Sequence, residues 1–343
     1  MGDSAPSVQE WKNLYDLALE FKKIGCWDWM WDSDIFGVQN PESGEIGYCC
    51  VMGKLGQHYA LAVYLGTEGL DGYLKIQSEE ISPDDIDALH VQKCLMISFE
   101  DRKFLRKPDF QVIKQLGLKF RGRNSWPLFR SYRPGYPPWY LTREEAEYLT
   151  LVLQQAIGVV LRFKKDKDML TPPKKNHYLI RVPEKEGGSL RWKDKWLEPP
   201  PLEKTEVVAG PIDEARLERI KRTVSRQRGT WEADFFYFPG AVKEKEGERP
   251  YYPYAILFVD HPSSFIFGTD LVTQSELRLE FGDKFLGTIE SVEFIPKEVL
   301  VKKEEAFKIL EPIASRLGVE IRKVERLMAL EEAQAGMFEF FRA

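Results

Sequence analysis

Cations and aromatic rings alternate along residues 119–139, KFRGRNSWPLFRSYRPGYPPW. Lys119, Arg121, Arg123, Arg130 and Arg133 are interleaved with Phe120, Trp126, Phe129, Tyr132, Tyr136 and Trp139. Rings that stack on bases and cations that neutralise phosphates are what gripping a single nucleic-acid strand requires, so Arg130, Arg133, Tyr132, Tyr136 and Trp139 are candidate binding residues. The competing reading of the same stretch is a packed cover, with the rings against a neighbouring domain and the arginines paired to local acids. A helix follows at once. Thr142-x-x-Glu145 is a capping box, in which the Glu145 carboxylate reaches back to the Thr142 amide.

Other chemistries find little support. The four histidines (His58, His90, His177, His261) are scattered, and the four cysteines (Cys26, Cys49, Cys50, Cys94) lack both metal-ligand spacing and a disulfide framework. In a strand, the vicinal pair Cys49 and Cys50 would face opposite sides. VMGKLGQ reads as a hairpin turn rather than a phosphate loop, because no helix follows it. Asp260-His261-Pro262 with Ser263 and Ser264 reads as a turn, not a hydrolase triad. No cofactor is expected from these patterns.

The chain has 343 residues, 43% of them hydrophobic, which favours two domains or one large one with ample cores. A net charge of −5 with both signs interspersed argues against a dedicated nucleic-acid binder. No run approaches the roughly 20 apolar residues of a membrane helix, and MGDSAPSVQEW lacks the zones of a signal peptide. The expectation is a cytosolic protein without a membrane partner, and its Lys/Glu-rich usage would suit a thermophile.

The elements that would position these residues read as though written twice. An amphipathic helix over 8–24 precedes WDSDIF (31–36), and another over 213–226 precedes WEADFF (231–236). LGLKFR (116–121) matches LGVEIR (317–322), and EEA opens the last helix of each half at 144–146 and 331–333. Each half then reads as a three-strand antiparallel meander, a short buried strand (CLMISFE or KEVLVKK), a helix, a strand and a closing helix. Ser82-Pro83-Asp84 and Ser275-Glu276 mark further helix starts. The expected organisation is 1–163 as a first repeat with an aromatic and proline insertion at 123–142, 164–205 as a linker, and 206–343 as a second repeat. The linker carries a hairpin, HYLIRV and SLRWKDKWL around the turn EKEGG, with Trp192 and Trp196 on one side.

This order resembles the ribonuclease H-like fold of integrase and transposase cores. The likeness spans 231–340 best and 31–160 more loosely, and it points to an uncharacterised prokaryotic family of unknown function. The fold class expected is therefore α/β (α+β), with two tandem ribonuclease H-like repeats, each a mixed sheet flanked by helices. The resemblance implies carboxylates on the first strand, the fourth strand and a helix, holding two Mg²⁺ or Mn²⁺ ions for phosphodiester cleavage. In the first half these would be Asp34, Asp101 and Glu145, or their neighbours Glu100 and Glu144. The second half has Asp234 and the Glu331/Glu332 pair, but Lys302 and Lys303 stand where its central metal ligand should be, so that half should be silent.

The leading expectation is a non-catalytic binding or interaction module for an unknown protein or ligand. The alternatives are a divalent-metal-dependent nuclease or phosphodiesterase using the first half, and a single-strand nucleic-acid binder using the loop 119–139.

Overall fold

Ser7 starts the first helix by the chemistry its sequence carries. Its hydroxyl accepts the Glu10 N–H, the Glu10 carboxylate accepts the Ser7 N–H, and Gly25 ends the helix at φ 64°. In the computed structural model, which describes residues 4–82, 86–186, 189–202, 210–245 and 247–342, the chain forms two compact units, 1–203 and 204–343. It is a mixed α/β protein with two sheets flanked by helices. No helix among the described residues is long and apolar enough to cross a membrane.

The first unit runs α1 (Val8–Ile24), β1 (Phe36–Gln39), β2 (Ile46–Met52), β3 (Ala60–Leu65), α2 (Gly66–Gln77), α3 (Ile86–His90), β4 (Cys94–Glu100) and α4 (Lys107–Gln115). It continues with β5 (Trp126–Arg133), β6 (Tyr136–Trp139), α5 (Arg143–Lys165), β7 (Tyr178–Glu186) and β8 (Ser189–Leu197). Its eight strands lie in the order β6-β5-β4-β3-β2-β1-β7-β8, and β1 with β7 is the parallel pair. Alternation along β2 sends Cys49 into the core shared with α1 and α5, and Cys50 into the core under α2. All four cysteines are buried free thiols.

The second unit runs α6 (Glu214–Thr223), β9 (Thr230–Tyr237), β10 (Tyr254–Asp260), β11 (Ile266–Val272), α7 (Leu277–Val292), β12 (Glu298–Val301), α8 (Glu304–Leu317), β13 (Glu320–Lys323) and α9 (Met328–Arg342). Its order is β11-β10-β9-β12-β13: a meander, then two strands parallel to β9. This is the arrangement the ribonuclease H-like resemblance predicts. Trp231, Ala233 and Phe235 pack under α6, α7 and α8, while Phe236 packs beneath α9.

The first half departs from the expected repeat. Its fourth strand lies antiparallel to both neighbours, β3 and β5, and LGLKFR forms no strand. LGVEIR does lead into β13, and what the two LG pairs share is a helix stop: Gly117 and Gly318 take φ 69° and 68°, and the next N–H, of Leu118 or Val319, bonds back to Ile113 or Ala314. Of the two EEA motifs, Glu144 and Glu145 of the first and Glu331 of the second stand in first turns of helices, where the helix dipole favours them. WDSDIF is a turn that ends in β1, whereas WEADFF lies within β9. What is shared is local chemistry, not a common topology.

Residues 164–205 are also not a linker in the main. The hairpin β7–β8 extends the first sheet, with Phe36 opposite Leu179. Pro83, Asp84, Gly187, Gly188 and residues 203–209 lie outside the described residues.

Candidate functional site

The first-half carboxylates are placed apart. Asp34 sits in the turn before β1, and its Oδ2 accepts the Trp31 N–H at 2.8 Å. Asp101 follows β4 and accepts the Asn124 N–H at 2.9 Å. Two strands separate β1 from β4, which at about 4.8 Å per strand spacing sets the two strands roughly 14 Å apart sideways, and the register places Asp101 several residues further along than the level of Asp34. Glu145 lies at the other end of β5 from Asp101, a run from Trp126 to Ser131 of roughly 17 Å at about 3.4 Å per residue.

Glu145 is also fully engaged. One oxygen accepts the Thr142 N–H at 2.9 Å and the other accepts the Ser131 hydroxyl and Arg133, each at 2.8 Å. Of the neighbours, Glu100 lies 3.5 Å from His58 and Glu144 is exposed. Among the described residues, no three or more His, Cys, Asp or Glu side chains group to hold a metal ion. The expected convergence of Asp34, Asp101 and Glu145 is not formed, because an antiparallel meander separates the elements that a parallel crossover would have brought together.

The part of the arginine and aromatic stretch from 126 to 139 is a hairpin whose two arginines, Arg130 and Arg133, are paired to acids of the same unit, while Lys119, Arg121 and Arg123 before it are exposed. Pro134 and Gly135, the latter at φ 79°, turn β5 into β6. Arg130, only 7% exposed, forks onto Asp109 at 2.9 and 2.7 Å, donates to the Phe129 carbonyl at 2.7 Å and lies 4.8 Å from the Tyr140 ring centre. Arg133 pairs with Glu145. Phe129 packs on Trp11 and Tyr15, while Tyr132 packs on the opposite core, where burial pushes its hydroxyl up to about 12. Tyr136 and Trp139 are half-buried in β6, and Trp139 meets Tyr140 edge-on at 5.1 Å. The sequence left two readings of this stretch, a strand-gripping segment and a packed cover. The structure packs Phe129 and Tyr132 within their own unit rather than against another domain, because strand alternation divides them between the two faces of the first sheet.

In the second unit, β9 turns Glu232, Asp234 and Phe236 away from the main helical layer. Glu232 is fully buried: one oxygen lies 2.6 Å from His261 Nδ1 and the other accepts the Leu330 N–H at 2.8 Å, in the first turn of α9. Asp234 Oδ1 accepts the Phe235 N–H at 2.8 Å and lies 3.3 Å from Lys303 Nζ. That ammonium also donates to the Phe235 carbonyl and sits 4.7 Å from the Phe235 ring centre. Burial raises the Asp234 carboxyl above its ordinary value against the opposing pull of Lys303. Nearby, Glu331 meets Arg326 at 2.6 Å and Lys302 at 4.0 Å, and Glu332 accepts the Ser264 hydroxyl at 2.9 Å. The acids of this face are answered by cationic and hydroxyl side chains.

A different feature surrounds Asp34. A cavity of about 290 Å³ lies where β1 and β7 enter side by side, lined by Ser33, Asp34, Phe163, Lys167, His177 and Tyr178 among others. Lys167 Nζ donates to the Trp29 carbonyl at 2.9 Å and lies 4.6 Å from the Phe163 ring centre. His177 Nδ1 is 3.1 Å from the Lys175 carbonyl, and Tyr178, its hydroxyl raised by burial, packs edge-on against Tyr48 at 5.4 Å. Lys167 escaped the sequence reading because it fell in the supposed linker, and His177 was set aside there as one of four scattered histidines. The available signal was HYLIRV itself, a β-branched run following a long helix.

Comparisons with known proteins add no chemistry. No curated protein matches the chain. Among solved structures, the HTLV-2 integrase catalytic core in complex with magnesium is 15% identical with a TM-score of 0.25, covering 32% of this chain and 67% of that one. The BIV integrase core is 10% identical with a TM-score of 0.23, covering 31% and 64%. The Mos1 strand transfer complex is 14% identical with a TM-score of 0.19, covering 53% of each chain. The chain thus spans about two thirds of the integrase cores and about half of the Mos1 chain. Two different family models match in succession, one within each compact unit: a domain of unknown function (DUF7309) over residues 11–181, running into β7, and a second domain of unknown function (DUF6930) over residues 216–338.

Proposed function

We propose that the protein is a non-catalytic binding module built from two unlike α/β units. The observation that carries this reading is the Asp234–Lys303 pair. On the first strand of the second unit, where the ribonuclease H-like resemblance implies a metal-binding carboxylate, the nearest cation is the chain's own ammonium at 3.3 Å. A divalent ion would have to displace that charge and would be repelled by Lys302 beside it. The separation of Asp34, Asp101 and Glu145 supports the same reading for the first unit. Four buried free thiols suit a cytosolic setting.

The test is a titration of the full chain with Mg²⁺ and Mn²⁺, read by thermal shift, alongside incubation with single- and double-stranded DNA and RNA. Neither stabilisation nor cleavage is expected. Metal-dependent cleavage that disappears in Asp234→Asn, or in Asp34→Asn with Asp101→Asn, would overturn the proposal.

A further inference from the structure

We infer that the cavity beside Asp34 binds a small zwitterion of the α-amino-acid type. The inference rests on the reading of the chain as a binding module and names a ligand class for its first unit. Two opposite charges line this cavity without joining each other. Asp34 has one oxygen on the Trp31 N–H, and Lys167 gives one hydrogen bond to the Trp29 carbonyl. Among the described residues, no ion pair links the two side chains. A carboxylate has acceptor sites beyond one hydrogen bond and an ammonium has three donors, so both retain capacity for a ligand. A ligand with a single charge would answer only one of them. An ammonium and a carboxylate on one small molecule answer both.

The rest of the lining fits that division. His177, its Nδ1 3.1 Å from the Lys175 carbonyl, adds an imidazole to the polar lining. Ser33 and Thr171 add hydroxyls, and Leu170 and Pro172 supply an apolar wall for a side chain. At about 290 Å³ the cavity lies at the small end of ligand sites. That is the size of a free amino acid rather than of a nucleotide or a folded chain.

The experiment is calorimetric titration of the full chain with leucine, N-acetyl-leucine, which lacks the ammonium, and leucine amide, which lacks the carboxylate. Glycine tests the apolar wall. Leucine is expected to bind at least about tenfold more tightly than either blocked form. Asp34→Asn keeps an acceptor for the Trp31 N–H, and it should erase the preference for leucine over N-acetyl-leucine. Lys167→Met keeps the stem over Phe163, and it should erase the preference over the amide. Circular dichroism and melting temperature confirm that each variant is folded. The inference is overturned if no compound binds up to roughly 10 mM, if the three leucine forms bind alike, or if both variants retain full selectivity. Nuclease activity with intact leucine binding would remove the non-catalytic reading but leave the cavity's ligand standing. Absence of both would remove only the ligand.

Discussion

Lys303 decides what the α9 face of the second unit can do. Removing it in Lys303→Met leaves Asp234, itself 3% exposed, without a counter-charge. A fully buried pair broken in this way costs about 3–5 kcal/mol, but Lys303 is itself 44% exposed, so about 1–2 kcal/mol is expected in urea denaturation. The double variant Asp234→Asn/Lys303→Met should recover much of that loss, and additivity of the two single changes would show that the pair is not coupled. Arg130→Ala should cost more, about 3–5 kcal/mol, because it strands Asp109 in a nearly closed site. His90 gives a pH signature. Burial pushes its imidazole from 6.5 down to about 4, so as pH falls from 6.5 towards 4 the unfolded chain takes up a proton that the folded chain refuses. Stability should therefore decline across that window and level off below it, and His90→Leu should flatten the melting-temperature profile there. The lysines at 302 and 303 and the capping role of Glu145 were legible in the sequence, because each is a local pattern. The Arg130–Asp109 fork was not, since only the packing of α4 on β5 brings those residues together.

At the scale of elements, the proline-rich stretch has a structural use. β6 is an edge strand with Pro137 and Pro138 within it, and a residue that lacks an N–H cannot extend a ladder to another chain. The opposite edge, β8, is guarded by charge: Lys193 and Lys195 flank Glu184 across the hairpin, and Asp194 meets Arg162 and Arg181. Helix α2 shows a tighter constraint. A Cβ at Gly72 would lie 2.1 Å from the Val91 carbonyl oxygen, and one at Gly69 would lie 2.6 Å from that of Lys93. Gly72→Ala should destabilise the first unit by about 1–3 kcal/mol despite its better helix propensity. A gain in melting temperature would show that the Val91–Lys93 segment yields. The helices 8–24 and 213–226 could be read from their periodicity, the first to the residue and the second within three. The role of β6 could not, because whether a short aromatic run is a loop or an edge depends on the strand beside it.

At the scale of the whole molecule, the second unit's topology follows from the order of its elements, while the first unit's does not. Both halves offer strand, helix, strand in succession after a meander. In the second, β12 docks beside β9 and the crossover is parallel; in the first, β4 docks beside β3 and the sheet continues antiparallel. Local sequence constrains which residues form strands, but the choice of neighbour is made by packing across many residues. The same limit hid the membership of β7 and β8 in the first sheet.

The parallel pairing of β1 with β7 joins residue 36 to residue 179. A contact of such long sequence separation carries a large loop-closure cost and belongs late in folding. The β2–β5 meander can zip up from neighbours in the chain, whereas the β7–β8 hairpin must return across nearly the whole unit. The cavity beside Asp34 has one wall on each side of that seam, so it comes into being only with the closing step. A ligand held there would slow the reopening of the seam, and hydrogen exchange at Ile180 and Arg181 should report its presence more sharply than exchange within the meander.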